Sequence, residues 1–113
     1  MNPTINQFPD QPFNRIALAA SGGGFRAATY MLGTLAYLQH IKLGETPLLE
    51  HVCYIASTSG GSLTNAFYNE SLLKSDSFEQ FYQHMLTFLD GDTLLKEVYQ
   101  VLQEDSCWEN TDK

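Results

Sequence analysis

Residues 16–26, Ile-Ala-Leu-Ala-Ala-Ser-Gly-Gly-Gly-Phe-Arg, set three consecutive glycines and an arginine between a short apolar run and an alanine-rich helical pattern. Gly22, Gly23 and Gly24 leave the backbone free to turn sharply and aim its N–H groups outward. At a helix N-terminus such groups, together with the helix dipole, attract negative charge. The chemistry on offer is anion binding: a phosphate, a carboxylate, or the oxyanion of a reacting ester. Arg26 would bring a planar, permanently charged fork to the same spot. A plain strand-to-helix turn with no ligand would need one glycine rather than three.

Two chemistries compete for this loop. Gly22-x-Gly24-x-x-Ala27 matches the dinucleotide fingerprint loosely. A nucleotide fold also needs a carboxylate at the end of its second strand, to hold the ribose hydroxyls. That strand is best placed at 52–56 and runs into Ser57-Thr-Ser-Gly-Gly-Ser62, where no carboxylate stands; Glu45 and Glu50 both precede it. The fingerprint therefore fails its own requirement. Ser59, with small neighbours and followed by Gly60 and Gly61, suits a nucleophile elbow, a turn tight enough to exclude bulk and expose a hydroxyl. Ser57-x-Ser59-x-Gly61 departs from G-x-S-x-G only in its first residue. Adjacent parallel strands would bring both loops to one edge of a sheet, where α/β active sites lie. One loop would then supply the nucleophile and the other the oxyanion donors, each typically worth a few kcal/mol in an acyl-transfer transition state.

With these motifs in hand, the chain resembles the patatin-like acyl hydrolases, and within them the cytosolic phospholipase A and lysophospholipase group. The resemblance rests on Ser21-Gly-Gly-Gly-Phe-Arg-Ala27, a helix, and then Tyr54-Ile-Ala-Ser-Thr-Ser-Gly-Gly-Ser62, in family order, and covers residues from about 15 to 105. It implies a three-layer α/β/α domain around a parallel sheet and a Ser–Asp dyad without histidine. The implied substrate is a phospholipid or lysophospholipid, and no cofactor or metal is called for. Residue by residue, Ser59 becomes the nucleophile, Gly22, Gly23 and Gly24 the oxyanion loop, and Arg26 and Gly60 substrate-binding positions. The dyad aspartate of the family ends a later strand in an Asp-Gly context. Here the sole Asp-Gly is Asp90-Gly91. Phe78, Phe81, Tyr82, Met85, Phe88 and Leu89 precede it at intervals of three and four, so Asp90 reads as a helix end, with Gly91 as C′.

The elements that must hold these residues are few. Strands are expected at 15–20 and 52–56, both continuous apolar runs of the kind buried on two faces. The first helix packs through Ala28, Met31, Leu32, Leu35 and Leu38 and stops near Gly44. A second continues from Ser59 through Leu63, Ala66 and Phe67. Ser77-Phe-Glu-Gln80 fits a capping box for a third, and Asp92 is expected to cap a fourth running through Leu94, Leu95, Val98, Val101 and Leu102. These stripes read as core. Two strands make an incomplete sheet, so the chain reads as an α/β N-terminal portion of the domain over 14–113, behind an extended arm over 1–13. Unpaired edges would favour self-association.

The formal charge of −7, from six basic and thirteen acidic side chains, excludes nucleic acid and a general grip on anionic membranes; transient contact with a lipid surface stays compatible. The N-terminus has no signal-peptide pattern and no run of about 18 apolar residues occurs. Cys53 reads as a small buried hydrophobe and Cys107 as a tail residue beside Trp108, which points to reduced thiols and a cytoplasmic site. His40, His51 and His84 lack metal-ligand spacing; a Ser–His arrangement through one of them stays open. Two rival readings remain: a non-catalytic anion- or lipid-binding remnant of the same fold, and a fragment that completes its sheet with another chain.

Overall fold

The computed structural model describes residues 12–104. The expectations for the arm up to residue 11, and for the tail with Cys107 and Trp108, lie outside the described residues. The chain is mixed α/β. Strand β1 (Ile16–Ala20) leads through the glycine loop into helix α1 (Gly24–His40). A small hairpin, β2 (Lys42–Leu43) with β3 (Thr46–Pro47), and a 3₁₀ turn at Leu48–His51 return the chain to β4 (Val52–Ser57). Helices α2 (Gly60–Leu73), α3 (Phe78–Leu89) and α4 (Asp92–Gln103) follow. β1 and β4 pair in parallel, so the strand ends at Ala20 and Ser57 lie side by side. Both expected strands are therefore present, to within a residue.

The core gathers Ala20, Met31, Leu32, Leu35, Leu49, Phe81 and Met85, with Leu18, Val52, Ile55, Phe67 and Tyr68 packed against it. All of α1, α2 and α3 thus cover one face of the two-stranded sheet. The other face carries Ala17, Ala19, Tyr54 and Ala56, all exposed. This corrects two expectations: the strands are not buried on both faces, and a three-layer arrangement is not formed among the described residues. The cause is that α2 lies beside α1 instead of crossing the sheet.

Cys53 is another correction, being exposed rather than buried. Ile16 pairs with Val52 and Ala17 with Tyr54, so Cys53 is the extra residue of a β-bulge and is turned out of the alternation. α1 ends at His40, not near Gly44. Ile41 is already extended, and Gly44, at φ 67°, takes the first central position of the two-residue hairpin turn. The hairpin itself was not expected.

The capping box stands as read: Ser77 Oγ accepts the Gln80 N–H, and the Gln80 side chain accepts the Ser77 N–H. Gly91 has the positive φ of a C′ residue, but it also serves as the N-cap of α4. Asp92 is therefore a first-turn residue and makes no side-chain cap. α4 buries none of its residues, which corrects the reading of its apolar stripe as core. Among the described residues no helix is long and apolar enough to cross a membrane.

Candidate active site

β1 and α1 meet at the glycine loop because Gly23 and Gly24 adopt backbone that side chains resist. Gly23 has φ 139° and Gly24 φ 64°. Helix α1 starts at Gly24 without a side-chain cap, so the amides of its first turn have no intrahelical acceptor. Arg26 lies on that first turn and is exposed.

β4 and α2 meet at Ser59, whose backbone sits at φ 46°, ψ −124°. This is a strained conformation for a residue with a side chain, of a kind that costs about 1–3 kcal/mol and clusters at functional sites. The strain follows from connectivity. β4 ends at Ser57 with Thr58 N–H bonded to the Ala20 carbonyl at 3.1 Å, and α2 begins at Gly60. One residue must absorb the change of direction. The exposed Ser59 thus stands at the N-terminus of α2, with the positive end of that helix dipole beneath it.

The two loops touch. A Cβ placed on Gly22 would lie 3.0 Å from Ser59 Cβ and 3.6 Å from Ser59 Oγ, so the backbone of Gly22 faces the serine directly. A Cβ on Gly60 would overlap the Gly24 carbonyl oxygen, and one on Gly61 would come within 2.7 Å of the Ser21 carbonyl oxygen. Gly60 and Gly61 therefore let the glycine loop dock on the elbow. Ser59, Gly22, Gly23, Gly24 and Gly60, all singled out from sequence, come together at one sheet edge, with Arg26 on the adjoining helical turn.

Below the elbow, Asn65 Nδ2 donates to Ser57 Oγ at 2.9 Å, and Asn69 Nδ2 donates to Asn65 Oδ1 at 2.8 Å. This relay of two amides fixes the last residue of β4. Sequence reading missed it, although Asn65 and Asn69 stand four apart on α2 and so share one face. Beside the loop, Phe25 meets Phe88 edge-on at 6.0 Å, and Phe88 packs on Phe67 at 4.9 Å. The C-terminal end of α3 therefore lies beside the start of α1.

The described histidines lie elsewhere. His51 precedes β4, whose length puts it about 20 Å from Ser59, and its Nδ1 meets the Asn14 carbonyl at 3.2 Å. His40 closes α1, about 25 Å from the glycine loop. His84 is exposed on α3 beside Glu70 and Lys74, far along α2 from Ser59. No described histidine serves Ser59. Asp90 is the C-cap of α3 and exposed, as its periodicity implied. No described side chain hydrogen-bonds Ser59 Oγ. The perturbed ionisable groups belong to the other end of α2. Burial, then the charge of Glu50, raises the Tyr68 phenol, and the hydrogen bond from Lys74 lowers the Glu70 carboxyl. Among the described residues no three His, Cys, Asp or Glu side chains converge in a metal-binding group.

The arrangement can present one hydroxyl, at a helix N-terminus, against a loop of free amides. No protein-family model matches the chain, and neither does any curated protein or solved structure.

Proposed function

We propose that this chain carries the nucleophile and oxyanion loop of a lipid acyl hydrolase of the patatin-like phospholipase type. Ser59 Oγ attacks the carbonyl carbon of a fatty acyl ester, and the carbonyl oxygen becomes an oxyanion facing the amides of Gly22, Gly23 and Gly24. The carbon–oxygen bond to the alcohol then breaks and the alcohol leaves with a proton. Water hydrolyses the acyl-enzyme and regenerates Ser59. Arg26, one turn from the oxyanion, binds the phosphate of a phospholipid or lysophospholipid by a bidentate pair. The observation that carries this reading is the strained backbone of Ser59 at φ 46°, ψ −124°, with Gly22 packed against its side chain. A strained serine on a strand-to-helix turn is what a nucleophile elbow requires. The cytoplasm is the compartment we assign, with transient contact at a lipid surface.

One observation favours a second reading: no described carboxylate or imidazole hydrogen-bonds Ser59 Oγ, where a base would take its proton. A non-catalytic remnant would keep the loop for anion or lipid binding and use Ser59 only as a turn. Hydrolysis of a lysophospholipid, followed by release of free fatty acid, separates the two. The hydrolase reading expects release that Ser59→Ala abolishes at unchanged helical content. Release without a base is expected to be weak, on the order of a thousandfold above the uncatalysed rate, as when a triad member is removed. Phosphate binding with no Ser59-dependent release assigns the remnant.

A further inference from the structure

Helices α1 and α2 start at the same sheet edge and run side by side, and their crossing is built from small residues. Gly24 and Ala28 on α1 face Gly60 and Thr64 on α2, at the same sequence offset in both pairs. Four-residue spacing of small side chains on each helix lets two backbones approach closely. The first pair is bare backbone, since a Cβ on Gly60 would lie 2.8 Å from the Gly24 nitrogen and carbonyl carbon as well as overlapping the oxygen. The second pair is different. Thr64 is fully buried, and its Oγ1 donates to the Ala28 carbonyl at 2.7 Å, across the helix boundary. Ala28 is also fully buried.

A hydroxyl at this place is not needed for filling. Valine has the same shape and would bury more apolar surface, whereas a buried hydroxyl is tolerated only with a partner. The bond Thr64 makes is one turn in from each helix start. Gly24 opens α1 and belongs to the oxyanion loop; Gly60 opens α2 directly after Ser59. Whatever fixes the axial register of these helices one turn in also fixes the spacing between loop amides and nucleophile. Packing of small side chains sets the distance between the helix axes but resists sliding poorly. A directional hydrogen bond resists it.

We infer that Thr64 is a positioning residue, holding the oxyanion loop at its working distance from Ser59 through the Ala28 carbonyl. The inference rests on the hydrolase reading for its catalytic meaning, but its structural content stands apart. Acyl transfer is sensitive to this spacing, because a misplacement of about 1 Å can cost about a hundredfold in rate.

The test compares the full chain with Thr64→Val and Thr64→Ser. Turnover of a short-chain nitrophenyl ester is measured beside amide hydrogen exchange at residues 28–30 and at Leu35. Thr64→Val is expected to lower kcat about tenfold with KM unchanged, and Thr64→Ser to restore most of it, since serine keeps the donor. Exchange at the amides of residues 28–30, which bond to the carbonyls of residues 24–26 and so close the first turn of α1, is expected to rise in Thr64→Val while that of Leu35, mid-helix, stays as in the parent. An unchanged kcat in folded Thr64→Val overturns the inference, and so does a loss that Thr64→Ser fails to recover. If the parent shows no Ser59-dependent turnover, the hydrolase reading fails by itself. The exchange pattern then decides: selective loosening of the first turn of α1 upholds the register role, and equal exchange rejects it.

Discussion

Helices α2 and α4 differ in a way that inverts the usual reading of a helical sequence. α4 has the cleaner amphipathic pattern. Leu94, Leu95, Val98, Tyr99, Val101 and Leu102 fall in one sector, and Asp92, Thr93, Lys96, Glu97, Gln100 and Gln103 in the other. Yet it buries no residue. α2 has a poor stripe and places Gly60, Gly61, Thr64 and Ser71 in its interior. Its contact with α1 depends on the absence of side chains, and it carries Ser59 at its start. An apolar stripe therefore marks a helix but does not say what covers it, whereas small residues at four-residue spacing mark where backbones meet.

The largest effect expected from this contrast is at Gly60. Gly60→Ala forces a Cβ into the Gly24 carbonyl, and backbone cannot yield as a flexible side chain would. We expect a loss of about 3 kcal/mol or more in urea unfolding, at the upper end of overpacking effects, together with loss of any Ser59 reactivity. Gly33→Ala is the matched control. Gly33 is inside α1 with open space around its Cβ position, so the substitution should stabilise by about 0.5–1 kcal/mol. Equal effects at the two glycines would dissolve the distinction between the helix starts and the helix bodies.

Next in size comes Arg26, at the rim of the same end. Arg26→Ala should slow phospholipid hydrolysis by about ten- to a hundredfold, the value of a charge-assisted bidentate pair. An uncharged ester should lose much less, and Arg26→Lys should recover only part, because an ammonium lacks the planar fork. Equal losses on both substrates would move Arg26 from head-group binding to the oxyanion or the fold.

The smallest effect belongs to α4. Leu95 and Val98 are 58% and 45% exposed, so Leu95→Gln and Val98→Gln should each change stability by no more than about 0.5 kcal/mol. Leu35→Ala, at a fully buried position of α1, should cost about 2–5 kcal/mol in the same assay. A cost at Leu95 approaching that at Leu35 would mean that the α4 face is covered in solution.

The strands, α3 and the two glycine-rich turns were legible in the sequence for separate reasons. Both strands show as apolar runs ended by glycine-rich turns, and Ser77 with Gln80 announces α3 through a local capping signal. Ser59, Gly22, Gly23 and Gly24 stand out because tight turns admit so few residue types. What was not legible depended on partners remote in sequence. Cys53 is exposed because of a register shift against Ile16, which no local pattern encodes. The bare sheet face with Ala17, Ala19 and Tyr54 follows from α2 settling beside α1. That choice was written in Gly24, Ala28, Gly60 and Thr64, but read as helix composition it goes unnoticed. The hairpin around Gly44 was missed because a single glycine after a helix stripe signals a helix stop equally well.

We propose that the elbow and the glycine loop form one acyl-transfer site around Ser59. Reaction of the full chain with a fluorophosphonate tests it most directly, with the modified residue located by peptide mass spectrometry. The serine oxygen bonds to phosphorus and fluoride leaves, so the adduct mimics the tetrahedral intermediate. An adduct is expected on Ser59 that Ser59→Ala abolishes and Gly60→Ala prevents, with no other serine modified at a comparable rate. An unmodified Ser59, or a labelling rate that survives Ser59→Ala, would contradict it.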